Sequence, residues 1–424
     1  MATLVLSNHT TVIEDRLQAD GKEVIVCLTK PVAAVRMADP PGYEMVTVSH
    51  WHAFGELADL ARDLRGRVDR IATLWEGALV AAGFLRDLLD LPGQRMSEAL
   101  GFTDKAVMKT RLARAGVPVA RHRIVRSVDD VHGAAGELGG YPVVVKPLSG
   151  FASTNTYVVR SFAHLQTMRE NVFSRRLDAG AMFSAETAFH SLAEQGQFLV
   201  EEYIDIDTEY HCDGFWRGGQ PVYHVPGRYN VPPLRGMGAT LGSVLLDPGS
   251  RDGSTVAAIA DRAARTLGLH DGFSHAEVYR STDGRWLLGE IAARPGGGGI
   301  QPTLGHAYGL DVPAMLAQHA VGDLVTANPR PAAGVFGWAG TAVPPGRITQ
   351  VVQREALLRH RGVIDATVVA AVGGTGGPTG TGLWGGLAGY VFLHADATGD
   401  VLALMDDVAD WYAIRVEEPL AVGA

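Results

Sequence analysis

Two glutamates, Glu277 and Glu290, stand where a hairpin would set their carboxylates against each other. Residues 275–280 alternate like a half-buried strand, as do residues 286–294, and Asp283-Gly284 between them is a strong hairpin signal. A two-residue turn there pairs Thr282 with Arg285 and brings Glu277 opposite Glu290. Cross-strand partners lie roughly 5 Å apart at Cβ, and like charges there repel. Such a pair needs a cation between its carboxylates or a proton on one of them. Oxygen ligands on strands suit Mg²⁺, which takes one or two protein carboxylates and fills its shell with phosphate and water. Arg294 falls on the face of Glu290 by the strand period of two, and Pro295 with the glycine run 296–299 follows at once. Three plainer arrangements stay open on these residues alone: solvated glutamates on an exposed face, one protonated carboxyl, or a longer turn that breaks the register.

The elements that must position this hairpin belong to a chain of 424 residues, long enough for two to four compact units. A hydrophobic fraction of 46% and an aromatic fraction of 7% are those of a globular protein. The net charge of −9 argues against nucleic acid as the main partner. Cys27 and Cys212 are the only cysteines and have no metal-type spacing, which fits a reducing compartment. The first ten residues lack the basic and apolar regions of a signal peptide. No apolar run approaches about 18 residues, so no membrane span is expected. These features together predict a cytoplasmic protein.

Residues 3–7, 23–28, 45–48 and 70–73 read as strands alternating with helices at 53–64 and 79–89, a small parallel α/β unit. It lacks a Gly-x-Gly-x-x-Gly after its first strand, so no dinucleotide site is expected there. A helix is expected from Thr103, capped by that residue and ended by Gly116 and Pro118. A strand near 124–125 and a helix over 128–138 lead to a strand over 141–147 carrying Lys146, then a small polar loop over 149–156. Residues 161–195 read as mostly helical, 198–204 and 209–216 as strands, and 221–245 as an irregular Pro- and Gly-rich loop. Helices are expected at 254–267 and 312–320. Residues 328–331 read as a linker, followed by a third unit with a Gly-rich stretch over 373–389 and a final helix near 401–415.

Four motifs, in this order, resemble those of the ATP-grasp ligases: TDKAVMKTRLARAGVPV from Thr103, YPVVVKPLSG from Tyr141, FLVEEYIDIDTEY from Phe198 and GFSHAEVYRSTDGRWLLGEIAARPGG from Gly272. The resemblance runs from Thr103 to about Gly322, and the tail is similar to the branch of L-amino-acid ligases. It implies an α/β and α+β architecture. An N-terminal parallel α/β domain spans 1–100, and a nucleotide-binding and catalytic region spans 101–327 with a lid lobe over about 120–205. A C-terminal α+β domain spans 330–424. The implied activity activates a carboxylate as an acyl phosphate and joins it to an amine, releasing ADP and phosphate. The implied cofactors are ATP and one or two Mg²⁺, with Mn²⁺ as a substitute. The implied partners are a small carboxylate and a small amine, amino acids above all, and a second copy of the chain in a homodimer. Another ATP-grasp reaction, of purine-pathway or carboxylase type, and an ATP-binding module without turnover are the alternatives.

The resemblance assigns Lys105 and Lys146 to the nucleotide, the latter on its phosphates, where a lysine acts as a point charge. Ser153 and Thr154 offer backbone N–H groups to phosphate oxygens. Glu201, Glu202, Tyr203 and Ile204 form a hinge whose main chain reads adenine, so side-chain changes at Glu201 should be mild, and Glu209 holds ribose. Glu277 and Glu290 take the metal, and Arg294 stabilises the transferring phosphoryl group. Gly297 and Gly298 admit the substrate carboxylate, while Glu76, Arg228 and His275 are further substrate-side candidates, Glu76 for an amino group. One departure stands out: Ala292 occupies the position, two past the second metal glutamate, where the family commonly has asparagine.

Overall fold

A computed structural model of the chain describes residues 1–177, 186–236, 238–376 and 387–417. Four strands, β1 (Ala2–Leu6), β2 (Val24–Thr29), β3 (Glu44–Val48) and β4 (Val68–Thr73), pair in parallel in the order β3-β2-β1-β4. The runs ATLVL and VIVCLT have every residue buried, as strands covered by helices on both faces must. Expected strands and helices of this unit fall in place, the helices at Phe54–Leu64 and Leu79–Leu89.

A second sheet takes β5 (His122–Val125), β6 (Val143–Pro147), β7 (Tyr157–Val159) and β8 (Phe198–Glu202) in the order β5-β8-β6-β7. The third sheet is the largest. It comprises β9 (Ile206–Arg217), β10 (Gln220–Tyr229), β11 (Leu241–Leu245), β12 (Gly272–Ser281), β13 (Trp286–Ala292), β14 (Val335–Gly340), β16 (Val363–Val368) and β18 (Gly389–Ala395), ordered β13-β12-β9-β10-β11-β14-β18-β16. Three strands after residue 330, β14, β16 and β18, therefore extend the sheet that carries the glutamate hairpin. A small three-stranded sheet, β17-β15-β19, adds β15 (Gly346–Gln350), β17 (Thr375–Gly376) and β19 (Arg415–Glu417).

One face of the large sheet is closed by the helix Arg251–Leu267. Ser250 caps it by accepting the Gly253 N–H, and Val256, Ala260, Ala263, Ala264 and Leu267 form its buried stripe. That stripe packs against Tyr210, Cys212, Trp216, Ala276, Val278 and Ile291, the alternate residues of β9, β12 and β13. The period of two then directs Glu209, His211, Asp213, His275, Glu277 and Glu290 to the opposite face.

Several local expectations fail for physical reasons. Thr103 ends a helix, Met96–Thr103, and the cap of the next one, Lys105–Arg114, is Asp104, whose side chain accepts from Ala106 and Val107. Residues 221–245 contain two strands. Pro221 and Pro226 read as breakers, yet the ladder absorbs the first with a bulge between 221 and 223, and the second gives its carbonyl to Leu246 N–H. The helix Ile300–Tyr308 was hidden behind the glycine run. The final helix is two, Thr398–Asp406 and Val408–Tyr412. Between 161 and 195 the described residues hold one helix, Phe162–Asn171, and two single turns. Residues 178–185 of that stretch, and 377–386 of the Gly-rich one, lie outside the described residues.

Candidate active site

The hairpin reaches its register by two deviations that cancel. The turn is longer than a two-residue one: Ser281 N–H donates to Arg285 O at 2.9 Å, so Thr282, Asp283 and Gly284 form a three-residue loop with Gly284 at φ +84°. That slips the pairing by one, with Tyr279 opposite Leu287 and Val278 opposite Leu288. A bulge at Gly289 slips it back, and Glu277 pairs with Glu290. Gly289 lies under the Tyr279 ring, where a Cβ would come within 2.2 Å of it.

Around this pair stand cations from three distant segments. Lys105, in the first turn of its helix, donates to Glu290 Oε1 at 2.8 Å and to Gly150 O at 2.6 Å. Burial would lower its pKa, but Glu290 and Glu76 outweigh burial and raise it. The same cations act on the hairpin: burial would raise Glu290, yet Lys105 and Lys146 hold it below the ordinary carboxylate range. Glu277 is raised, first by burial and then by Glu290. Two half-buried acids of opposite shift on facing strands are a donor set that a divalent cation fits. Ala292, opposite His275, offers no side-chain ligand.

Arg294 leaves the end of β13 and binds the buried Glu76 carboxylate, Nε to Oε2 at 2.8 Å and Nη2 to Oε2 at 2.6 Å. Glu76 follows β4 of the N-terminal unit, so this pair joins that unit to the hairpin.

Lys146, at the end of β6, pairs with Glu201 Oε2 at 2.9 Å, and Lys109 pairs with Oε1 at 3.0 Å. Burial would raise Glu201, but the two lysines hold it at about 2. Its side chain is therefore a buried charge between two cations, against the expectation that changes there would be mild. Glu202 accepts from Arg121 N and Nε at 2.9 and 3.0 Å, Tyr203 OH lies 3.4 Å from Arg235, and Ile204 is buried with Ala120, Ile206 and Leu287. Glu209 lies beside Tyr279 across β9 and β12, buried and raised well above the usual carboxylate range by burial and by Glu277.

The polar loop after β6 carries left-handed backbone at Ala152, Ser153 and Asn155, conformations non-glycine residues adopt at a cost of order 1 kcal/mol or more each. Thr154 N–H already donates to Phe151 O at 3.0 Å, so in this conformation it is not offered to a phosphate. Asn155 Nδ2 binds Ala188 O and His190 O, both at 2.8 Å.

Beneath the 295–299 loop lies a buried network that the sequence did not suggest. Asp213 accepts from His211 Nδ1 at 2.7 Å, from His275 Nδ1 at 3.1 Å and from Gly296 N–H at 3.0 Å, while His211 Nε2 meets Ser243 Oγ at 2.9 Å. Gly296 is small for this reason: a Cβ would come within 2.4 Å of Asp213 Oδ1. Gly297 points into open space, and Gly298 beside it shares the loop. Arg228 does not join the site. It pairs with Tyr210, which hydrogen-bonds Asp252 on the helix-covered face, and the neighbouring Tyr229 is the one that turns inward, 5.1 Å from the His211 ring. Lys109 was missed although it lies one helical turn after Lys105. Asp213 and His211 were missed although they alternate with Glu209.

Residues 139–303 match the ATP-grasp domain family. The chain is similar to the L-arginine-specific L-amino acid ligase of Bacillus subtilis, 29% identical over 276 residues, which cover 62% of this chain and 63% of the relative. It is also similar to the dapdiamide A synthase of Enterobacter agglomerans, 25% identical with 68% and 66% covered. The chain thus spans less than two thirds of the length of these curated relatives. Among solved structures, an L-amino acid ligase from Bacillus licheniformis superposes with a TM-score of 0.72 at 16% identity, covering 99% of both chains. No described helix is long and apolar enough to cross a membrane. The match over residues 139–303 and the superposition together show the ATP-grasp fold.

Proposed function

We propose that this chain is an ATP-dependent carboxylate–amine ligase acting on amino acids. The observation that carries the reading is the facing pair Glu277 and Glu290, half-buried and ringed by Lys105, Lys146 and Arg294. In this reading a carboxylate oxygen of the first substrate attacks the γ-phosphorus of ATP, and ADP leaves. The amine of the second attacks the acyl carbon, phosphate leaves, and an amide remains. Glu277 and Glu290 would hold Mg²⁺, which would supply charge neutralisation at the phosphates. Ala292, opposite His275, would offer no side-chain ligand to a second ion.

The chain's own residues position and neutralise. Lys146 places a point charge beside the nucleotide phosphates once Glu201 shares it with them. Lys105 couples the phosphate-loop backbone at Gly150 to Glu290. Arg294, oriented by Glu76, meets the charge that develops on the transferring phosphoryl group. Glu201 to Ile204 line the adenine side and Glu209 the ribose. The strained loop over Ser153 and Thr154 changes conformation to bring its N–H groups to phosphate. The loop at Gly297 and Gly298 faces the substrate carboxylate, and closure of the lid lobe excludes water from the acyl phosphate. The relatives from Bacillus subtilis and Bacillus licheniformis are L-amino acid ligases, which favours amino acids as substrates here.

The test is phosphate release from ATP and Mg²⁺ with pooled amino acids, with mass spectrometry of the product. A dipeptide mass with stoichiometric ADP is expected. Release stimulated by bicarbonate or formate mixtures and by no amino acid would move the chain to another ATP-grasp reaction. ATP binding without ADP under every mixture would leave a binding module.

A further inference from the structure

The lid lobe sends a carboxylate into the N-terminal unit with no positive partner among the described residues. Glu186 is 6% exposed, and its Oε1 accepts from Trp75 Nε1 at 2.7 Å. Its Oε2 lies over Gly77, where a Cβ would come within 2.6 Å. Among the described residues no lysine or arginine pairs with it, and no cation contributes to its electrostatics. Buried acids are normally paired or give up their charge. Burial pushes this one up to about 7, although the Trp75 and Trp51 N–H groups favour the anion.

The surroundings are aromatic. Trp75 packs edge-on against Phe151 at 4.7 Å, and Phe151 against Phe189 at 5.9 Å, so rings from the N-terminal unit, the polar loop and the lid lobe meet beside this carboxylate. Aromatic faces attract cations, most strongly where water is excluded. Glu76, next in the chain after Trp75, gives Oε2 to Arg294 and keeps Oε1 buried without a hydrogen bond. Asn8 shares a small cavity with Trp75 and has both side-chain amide atoms buried and unpartnered. These groups lie past the carboxyl ends of β1 and β4, the side on which open α/β sheets receive ligands.

We propose that Glu186, backed by Glu76 and walled by Trp75, Phe151 and Phe189, is a subsite for a protonated nitrogen on the amino acid whose carboxylate is activated beside Arg294. The inference rests on the ligase reading and deepens it. The nitrogen is the α-ammonium or a basic side chain, and the test separates the two. Because the walls come from both the lid lobe and the N-terminal unit, a bound cation favours the closed arrangement.

Glu186→Gln is the discriminating variant. Its amide oxygen still accepts from Trp75 Nε1, so a contact that merely latches the lid survives, while the negative charge is lost. Binding of L-arginine and of L-alanine is measured by calorimetry with MgADP present, alongside KM values from phosphate release. The expected loss is about 10-fold or more in affinity, with Tm and the KM for ATP unchanged. A loss confined to L-arginine places the cation on the side chain, and an equal loss for both places it on the α-ammonium. Affinities for both within about two-fold of the unmodified protein overturn the proposal. Should the variant not fold, the unmodified protein answers: agmatine and ethylammonium, cations without a carboxylate, must compete with the amino acid and not with ATP, and failure of both to compete overturns it. Phosphate release that persists with amino acids while Glu186→Gln binds normally removes the subsite and leaves the ligase reading intact. Binding that depends on Glu186 without any phosphate release removes the ligase reading and keeps the subsite.

Discussion

Arg294 grips Glu76 through both Nε and Nη2, at 2.8 and 2.6 Å, across 218 positions of sequence. One partner follows a strand of the parallel sheet and the other leaves the glutamate hairpin, so the N-terminal unit decides where the arginine points. Removing one member of a buried ion pair costs about 3–5 kcal/mol, because the other charge is left uncompensated. Glu76→Ala is therefore expected to lower urea stability by that order. It should also lower kcat for amide formation roughly 100-fold, through a mispositioned Arg294, with a smaller change in the KM for ATP. Unaltered kcat in a folded Glu76→Ala protein would refute this.

Glu201 between Lys109 and Lys146 makes a pH prediction. Its carboxyl is held at about 2 in the folded chain, against about 4.3 when unfolded. A depressed acid contributes stability that is fully present above the unfolded value and lost as pH falls through the folded one. The window is thus about pH 4.5 down to 2, and the amount is of order 3 kcal/mol. Glu201→Gln should be less stable at pH 7 and should lose less than the unmodified chain across that window. Parallel urea midpoints for the two proteins between pH 5 and 3 would contradict the buried charge assignment.

For the facing glutamates, single Glu277→Gln and Glu290→Gln variants should each reduce turnover roughly 100-fold or more and raise the Mg²⁺ concentration needed for half-maximal rate. Melting temperature should not fall with Glu277→Gln, since removing one of two repelling half-buried acids relieves the repulsion that raises Glu277. A Mg²⁺ dependence identical in both variants and the unmodified protein would dissociate the pair from the metal.

The hairpin shows how far residue patterns reach. Alternation in 275–280 and 286–294 identifies the strands and puts Glu277 against Glu290, but by a turn one residue too short. Only the bulge at Gly289 restores the pairing. A bulge is a tertiary compromise, set here by the Tyr279 ring lying over Gly289, and no local rule announces it. Helices with a clear apolar stripe, such as Arg251–Leu267, were legible. Strand β10 was not, since its prolines look like breaks until neighbours on both sides supply the ladder. Charged residues at strand or helix ends could be placed singly. Their partners could not, because Lys109 with Glu201 and Arg294 with Glu76 are joined only by the fold. Arg228 and Tyr229 illustrate the same point: adjacent in sequence, they face opposite sides of one sheet, and choosing between them needs the register.

Gly289→Val offers a direct check on the bulge. A branched side chain there must displace the Tyr279 ring, and overpacking of this kind costs about 1–3 kcal/mol. Relief by straightening the bulge would shift β13 by one residue and turn Glu290 to the helix-covered face. The expected result is a folded, less stable protein with turnover reduced about as far as in Glu290→Gln. Full activity in Gly289→Val would mean that the register tolerates the loss of the bulge.

Asp213 carries the last prediction. One carboxylate accepts from two histidine rings and from the Gly296 N–H, all of them buried. Burial would raise its pKa, but His275 and His211 hold it well below the ordinary carboxylate range, so it is an anion throughout the working range of pH. In Asp213→Ala three donors lose their acceptor at once. Each unsatisfied buried group costs about 1–3 kcal/mol, which is enough to threaten folding. Asp213→Asn keeps the shape and one acceptor oxygen. It must surrender either His211, on Oδ2, or His275 together with the loop, both on Oδ1, since its amide nitrogen cannot accept. If it surrenders the loop, residues 296–298 shift while Glu277 and Glu290 stay on their strands. The KM for the amino acid should then rise about ten-fold with the KM for ATP nearly constant, a split that general destabilisation would not produce. Equal rises in both KM values, or none, would mean that Asp213 stabilises the sheet without positioning the substrate loop.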